Sequence, residues 1–345
     1  MGKGRRFLTT DPKPDAGPLK VAAFWDGRAG HEKQTQGLIQ ALSRLTELSV
    51  EDIRVPGDSR AFRLQWRLLW AGSLGGRIFA SASAGVKELF GRAGAGGVDL
   101  ILGTGSATHA PMLLFRAAQG GRAVTCMTPD FPFSRSMDLC IVPGHDRPRP
   151  GDNVFVSLGP PNTAPAHGVH APAQGLVLVG GADEKSHCWD SPGMVERVAT
   201  LVRSAPEIQW TVSSSPRTPQ AMLPLLSQAC GKEGNARFIP FGETGPGWVE
   251  RAYGESGRCW VTADSVSMVY EALTAGCRVG ILPVAWKNPR GKIPRALAPL
   301  YERGLALSWE ERARMDEPGF SPPVLDEAGR AAREILRRWW PGRWS

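Results

Sequence analysis

The chain has 345 residues, 42% hydrophobic and 21% charged, a composition that excludes a disordered polymer and fits about two globular domains. No uncharged apolar run reaches the ~20 residues of a membrane-spanning helix, and the basic start Met1-Gly2-Lys3-Gly4-Arg5-Arg6 leads to Asp11 and Pro12 instead of a signal-peptide core. The net charge of +8 favours anionic partners of some kind. Cys126, Cys140, Cys188, Cys230, Cys259 and Cys277 form no CxxC pair, which predicts reduced core thiols in a cytoplasmic protein and no zinc site.

In chain order, short apolar runs predict strands over 20–25, 50–55, 98–103, 122–127, 138–143 and 153–157. Residues 31–48 repeat Leu38, Ile39, Leu42 and Leu45 at helical spacing. Residues 54–92 interleave seven Arg or Lys with Phe62, Trp66, Leu68, Leu69 and Trp70 against two acids. That pattern fits either a helix packed on its own sheet or a patch resting on an anionic membrane surface. The Pro-rich stretch 159–174 reads as a linker. The alternation then resumes with strands over 175–180, 208–213, 236–241, 258–262 and 278–284. Residues 328–340 are helical in pattern, and Trp339, Trp340 and Trp344 predict docking of this end onto the N-terminal domain.

Strand–helix alternation on both sides of a linker predicts an α/β fold of two parallel-sheet domains, over 18–165 and 172–325, with 326–345 returning to the first. Ligands of such sheets meet the carboxyl ends of strands. At the first of these, Asp26, Gly27, Arg28, Gly30 and His31 join strand to helix, where a helix start favours an anion and an imidazole can take a proton. A plain tight turn reads equally well. Gly180-Gly181 follows the strand over 175–180 and suits either a pyrophosphate loop or a turn. Ser215 and Arg217 suit a phosphate or an ordinary cap. Ser265 and Ser267 are expected to cap the helix that Val266 and Met268 begin. Glu271, four residues beyond Ser267, shares its face and reads as a ribose ligand or as a solvated glutamate.

The ordered set of motifs resembles a known family. Its pieces are Asp26-Gly27-Arg28-Ala29-Gly30-His31-Glu32 with Gln34, Gln36 and Gly37, then Asp99-Leu100-Ile101-Leu102-Gly103 and Gly144-His145-Asp146. Further on come Gly180-Gly181, Ser215-Pro216-Arg217-Thr218-Pro219, Gly242-Glu243 and Thr262-Ala263-Asp264-Ser265-Val266-Ser267-Met268. These resemble bacterial GT-B glycosyltransferases of the family named after the plant mitochondrial-fission (elongated mitochondria) factor, over about residues 21 to 307. More distantly, the layout is similar to the peptidoglycan GlcNAc transferase.

The resemblance implies two Rossmann-like domains with a cleft between them and transfer of a sugar from a nucleoside-diphosphate sugar to a glycan or lipid-linked acceptor. His31 matches the proposed base, with Asp26 as the next carboxylate to test, and Gly27, Arg28 and Gly30 form the acceptor loop. Gly180, Gly181, Ser215, Arg217, Gly242, Glu243, Asp264, Ser265, Val266, Ser267, Met268 and Glu271 would hold the donor, Glu271 at the ribose. After Glu243 the family continues with Asn-Pro-Tyr, whereas this chain has Thr244-Gly245-Pro246. The base therefore stays open, with a UDP-sugar favoured. No Asp-x-Asp pair follows a strand, so no catalytic metal and no cofactor are expected, and Lys287, Arg290 or Lys292 would assist Arg217. No nucleic-acid module is present. The chain is expected in the cytoplasm or on the inner face of the cell membrane, serving a cell-envelope glycan. The alternatives are a non-catalytic adaptor of the same fold at a membrane and a nucleotide-sugar epimerase.

Overall fold

A computed structural model describes residues 17–55, 97–166 and 168–343. By mutual contact the chain divides into Met1–Ile141 with Ala328–Ser345, and Val142–Glu327. The division thus falls before the Pro-rich stretch, while the carboxyl-terminal segment groups with the first unit. The basic, tryptophan-bearing stretch from Pro56 to residue 92 lies outside the described residues, as does Trp344.

The first sheet contains β1 (Leu19–Trp25), β2 (Leu48–Arg54), β3 (Leu100–Gly103), β4 (Arg122–Thr125), β5 (Leu139–Pro143) and β6 (Val154–Ser157) in the order β2-β1-β3-β4-β5-β6. β1 runs parallel to β2 and β3, and β3, β4 and β5 follow in parallel. β3 and β5 are buried throughout, as continuous apolar runs in a parallel sheet require. Among the described residues, α1 (Ala29–Ser43) and α2 (His109–Gln119) belong to this part. α1 buries Leu38, Ile39 and Leu42 as their spacing predicts, but it ends at Ser43 rather than at 48. Leu48 instead opens β2 in register with Leu19, so strand pairing overrides the helical period there.

The second sheet contains β7 (Ala171–Leu178), β9 (Gln209–Ser213), β10 (Ala236–Ile239), β11 (Ser256–Thr262), β12 (Arg278–Leu282) and β14 (Ala306–Leu307), in the order β10-β9-β7-β11-β12-β14. Every pair in it is parallel. Its helices are α3 (Ser191–Ser204), α4 (Leu223–Glu233), α5 (Trp248–Glu255), α6 (Val266–Ala275) and α7 (Lys292–Glu302). β8 (His187–Cys188) and β13 (Ala285–Trp286) form a separate antiparallel pair. β7 begins inside the stretch read as a linker. β8, β13 and β14 are two residues long, too short to show a period.

Two tryptophans fill this sheet against glycines in register. Trp260 pairs with Gly280 and Trp210 with Gly175, and a Cβ at Gly280 would stand 2.5 Å from the Trp260 ring. The last helix, α8 (Glu327–Trp339), buries Ala331, Ala332, Ile335 and Leu336 along one stripe. Arg122 of the first unit lies 5.5 Å over the Trp339 ring. All six cysteines are free, and only Cys188 is exposed. Among the described residues no helix is long and apolar enough to cross a membrane.

In an open parallel sheet the ligand crevice forms where strand order reverses. That point lies between β1 and β3 in the first sheet and between β7 and β11 in the second.

Candidate functional site

At the first reversal, β1 ends at Trp25, Asp26 follows, and Gly27 at φ 80° turns the chain into α1. His31 sits in the first turn of that helix, with Nδ1 2.6 Å from Asp26 Oδ2. The imidazole is 25% exposed and the carboxylate 2%. Asp26 Oδ1 accepts from the Arg28 amide at 3.1 Å, and Glu32 Oε1 accepts from the Gly27 amide at 3.1 Å. Burial alone would raise the Asp26 pKa. The hydrogen bonds from His31 and the Arg28 amide, with the nearby positive charges, outweigh it and hold the carboxyl below its ordinary range. An ionised Asp26 only accepts, so the proton between them belongs to Nδ1, and in the neutral imidazole Nε2 carries the lone pair. Gly27, Arg28 and Gly30 are exposed, with Arg28 at the helix start making no side-chain cap.

The neighbouring strand end was not singled out in the sequence. β3 delivers Thr104 and Gly105, and the Thr35 hydroxyl of α1 donates to Thr104 Oγ1 at 3.0 Å. Gly105 has φ 111°, and a Cβ on it would land on Asp26 Oδ2 and His31 Nδ1. Glycine is therefore required for the dyad to close. The signal was present in Gly103-Thr104-Gly105-Ser106, a glycine-flanked strand end like that of Asp26.

At the second reversal the loops bind one another. The Gly180 amide donates to Thr262 Oγ1 at 2.7 Å and the Gly181 amide to Asp264 Oδ2 at 3.1 Å. A Cβ on Gly181 would strike the Arg217 carbonyl. The two amides expected to meet a diphosphate are bound to protein oxygens, and the glycines allow loop to pack on loop. Behind them His187 is buried, with Nε2 3.1 Å from the Gly181 carbonyl and Nδ1 2.8 Å from Ser186 Oγ. The rings of Trp189 and Trp286 flank it edge-on.

Arg217 Nη2 donates to Asp264 Oδ2 at 2.7 Å, with the guanidinium 44% exposed and the carboxylate 0%. Asp264 Oδ1 has no partner among the described residues. Asp264 thus lies beneath the surface and holds Arg217 and the Gly181 amide in place. Ser215 shapes the Arg217 turn, its hydroxyl accepting from the Arg217 amide at 3.2 Å. Gly242 and Glu243 are exposed in a short turn tied to β9 by the Phe241 amide on Ser214 Oγ at 2.9 Å.

The expected caps are also corrected. Ser265 occupies the position before α6 without a side-chain bond, and Ser267 is exposed. The amides of Val266, Ser267 and Met268 have no carbonyl one turn behind them within the helix, so the positive end of α6 is left without a side-chain cap. Glu271 is 5% exposed and accepts from the Tyr253 hydroxyl at 3.4 Å. Burial first and the Glu271 charge second push the Tyr253 phenol well up. Glu271 is therefore no solvated glutamate. Of the cations expected to assist, Lys287 Nζ donates to the Glu184 carbonyl at 2.6 Å and Lys292 Nζ meets Asp146 at 2.8 Å. His145, beside Asp146, is held below its ordinary pKa by burial; Asp146 opposes this and Lys292 and Arg295 add to it.

Residues 29–339 match the protein family described as Mitochondrial fission ELM1. No curated protein matches the sequence. Among solved structures, the MurG of Acinetobacter baumannii is similar with a TM-score of 0.51 at 13% identity, over 93% of this chain and 100% of that one. The UDP-GlcNAc 2-epimerase of Neisseria meningitidis, solved bound to UDP-GlcNAc, is similar with a TM-score of 0.56 at 11% identity, over 92% of this chain and 99% of that one. At such identities the likeness is one of fold, two parallel-sheet α/β domains of the GT-B type. On the extent of the family match, this chain is a member of the Mitochondrial fission ELM1 family with a GT-B fold.

Proposed function

We propose that the protein transfers a sugar from a nucleoside-diphosphate sugar to a hydroxyl of a glycan or lipid-linked acceptor. The observation that carries this reading is the Asp26–His31 dyad. A buried carboxylate 2.6 Å from Nδ1 fixes the tautomer and leaves Nε2 as a base, the arrangement that activates a hydroxyl in nucleophilic catalysis. In the proposed step Nε2 takes the acceptor proton, the acceptor oxygen bonds to the anomeric carbon, and the bond from that carbon to the diphosphate breaks. The nucleoside diphosphate leaves with the electron pair, and the anomeric configuration inverts.

The donor is assigned to the second unit. The uncapped start of α6 at Val266, Ser267 and Met268 and the half-exposed Arg217 supply amides and a fixed charge for the diphosphate, an electrostatic preorganisation. Glu271 is assigned to the ribose, Gly242 and Glu243 to the base end, and Gly27, Arg28 and Gly30 to the acceptor. UDP is the favoured nucleotide, because the N. meningitidis epimerase of like fold is solved with UDP-GlcNAc.

An epimerase shares the fold but needs no acceptor. Calorimetry with UDP and UDP-GlcNAc, followed by product analysis with and without a lipid-linked acceptor, decides between them. Turnover that requires the acceptor and fails in His31→Ala supports transfer. Sugar isomerised without an acceptor favours the epimerase, and absence of nucleotide binding sinks both readings.

A further inference from the structure

We propose that the amino-terminal edge of the second sheet carries a separate binding site for a phosphate group, either inorganic phosphate or a phosphate monoester. A cavity of about 260 Å3 opens there, walled by His170, Gly257, Arg258, Gly276, Arg278 and Ser321. β11 and β12 begin at Ser256 and Arg278, so this wall lies at the opposite end of the sheet from Arg217 and the start of α6.

Charge and donor geometry argue for an oxyanion. Arg258 is 9% exposed; it pairs with Asp316 and reaches the Pro172 carbonyl at 3.5 Å. Arg278 Nη1 donates to the Met315 carbonyl at 3.1 Å. A guanidinium offers five N–H donors in a planar fork, and these contacts use a minority of each. His170 stands at the same wall. Its Nδ1 lies 2.7 Å from the Ser256 carbonyl and its Nε2 2.7 Å from the Ala275 carbonyl. That ring also covers the carboxyl end of α6, whose dipole would otherwise repel an anion.

Two guanidiniums therefore face one carboxylate, Asp316, around a space walled by bare backbone at Gly257 and Gly276. Sequestering an arginine from water is costly unless it is paired. Two arginine forks, side by side in one recess with donors to spare, match the planar, bidentate recognition of phosphate oxygens. The Ser321 hydroxyl, exposed at the wall, supplies a neutral donor.

The test is calorimetric titration of inorganic phosphate into the full chain. Wild type should bind, Arg278→Gln should weaken binding about tenfold or more, and Ser321→Trp, on an exposed position, should close the cavity and abolish it. Arg217→Ala should leave this binding intact, which keeps the site independent of the transferase reading whether or not UDP binds. Three results overturn the proposal: no phosphate bound by wild type, binding unchanged in both Arg278→Gln and Ser321→Trp, or binding lost in Arg217→Ala. Glycerol 3-phosphate and vesicles containing phosphatidic acid then tell a soluble ester from a lipid headgroup. Uptake of either through Arg278 upholds the site, and uptake of neither restricts it to inorganic phosphate, as the proposal allows.

Discussion

The two strand-order reversals use glycine for opposite purposes. Between β1 and β3, Gly105 removes a side chain so that Asp26 and His31 can meet at 2.6 Å, and the imidazole stays partly open. Between β7 and β11, Gly181 removes a side chain so that its own chain can press on the Arg217 carbonyl, and both glycine amides bind protein oxygens. One loop leaves an imidazole partly open, and the other ties loop to loop. A glycine-rich strand end therefore does not by itself mark a ligand contact; the partners of its amides decide. In the second unit the open donors have moved on to the start of α6, where Ser265 makes no cap.

The sharpest way to break this contrast is His31→Ala. A positioned base contributes about 10²–10⁴-fold, so acceptor-dependent turnover should fall by that order while UDP affinity, assigned to the other unit, holds. Equal turnover in the variant would remove the dyad from the reaction. Arg217→Ala should instead weaken UDP by about 1.5–3 kcal/mol, the range for hydrogen bonds to a charged group, and affect uridine far less. Calorimetry giving the same loss for both would show that Arg217 meets no phosphate. Glu271→Gln keeps the shape and removes the charge; weaker UDP binding with an unchanged melting temperature supports the ribose assignment. A lower melting temperature with unchanged affinity would make Glu271 solely the partner of Tyr253.

The glycines themselves sharpen the comparison. Gly181→Ala would drive backbone against backbone and should cost about 1–3 kcal/mol of stability, as overpacking does, seen in denaturant titration. Gly105→Ala adds a positive-φ penalty of about 1 kcal/mol but chiefly separates Asp26 from His31. It should lose activity out of proportion to stability. Parallel losses in both variants would mean that the two loops serve the same structural end.

Much of this was legible in the sequence, and the reasons differ by region. Six apolar runs in the first half and five in the second marked most strands, because parallel strands buried on both faces carry uninterrupted hydrophobic stretches. Asp26 and His31 stood within one motif, but the sequence offered them as alternative bases, and their pairing at 2.6 Å is a finding of the structure. Some misreadings were local, such as the Ser265 and Ser267 caps and the end of α1, and the rest were long-range. The partners of Gly180 and Gly181 lie about eighty residues away at Thr262 and Asp264, and Glu271 is hidden by Tyr253 of a different helix. Thr104 and Gly105 join the site only through strand pairing of β1 with β3. Periodicity reports a residue's own element; which loops meet is set by strand order, and no window of sequence contains that.

The smallest effect expected concerns Asp26 and acid. Its carboxyl titrates below the ordinary range in the folded chain: burial acts to raise it, and the hydrogen bonds from His31 and the Arg28 amide outweigh burial. A group whose folded pKa is depressed stabilises the fold fully above its unfolded pKa, about 3.9 for aspartate, and loses that contribution as pH falls through the lower, folded value. Asp26→Asn should therefore be less stable than wild type by a constant margin near neutrality, and the margin should narrow only below about pH 4. Urea titrations of both chains at several pH values measure it directly. A margin that stayed the same down to the acid limit would mean that the carboxylate charge adds nothing to stability. The 2.6 Å contact would then serve His31 alone, fixing its tautomer for the proposed proton transfer without holding the loop in place.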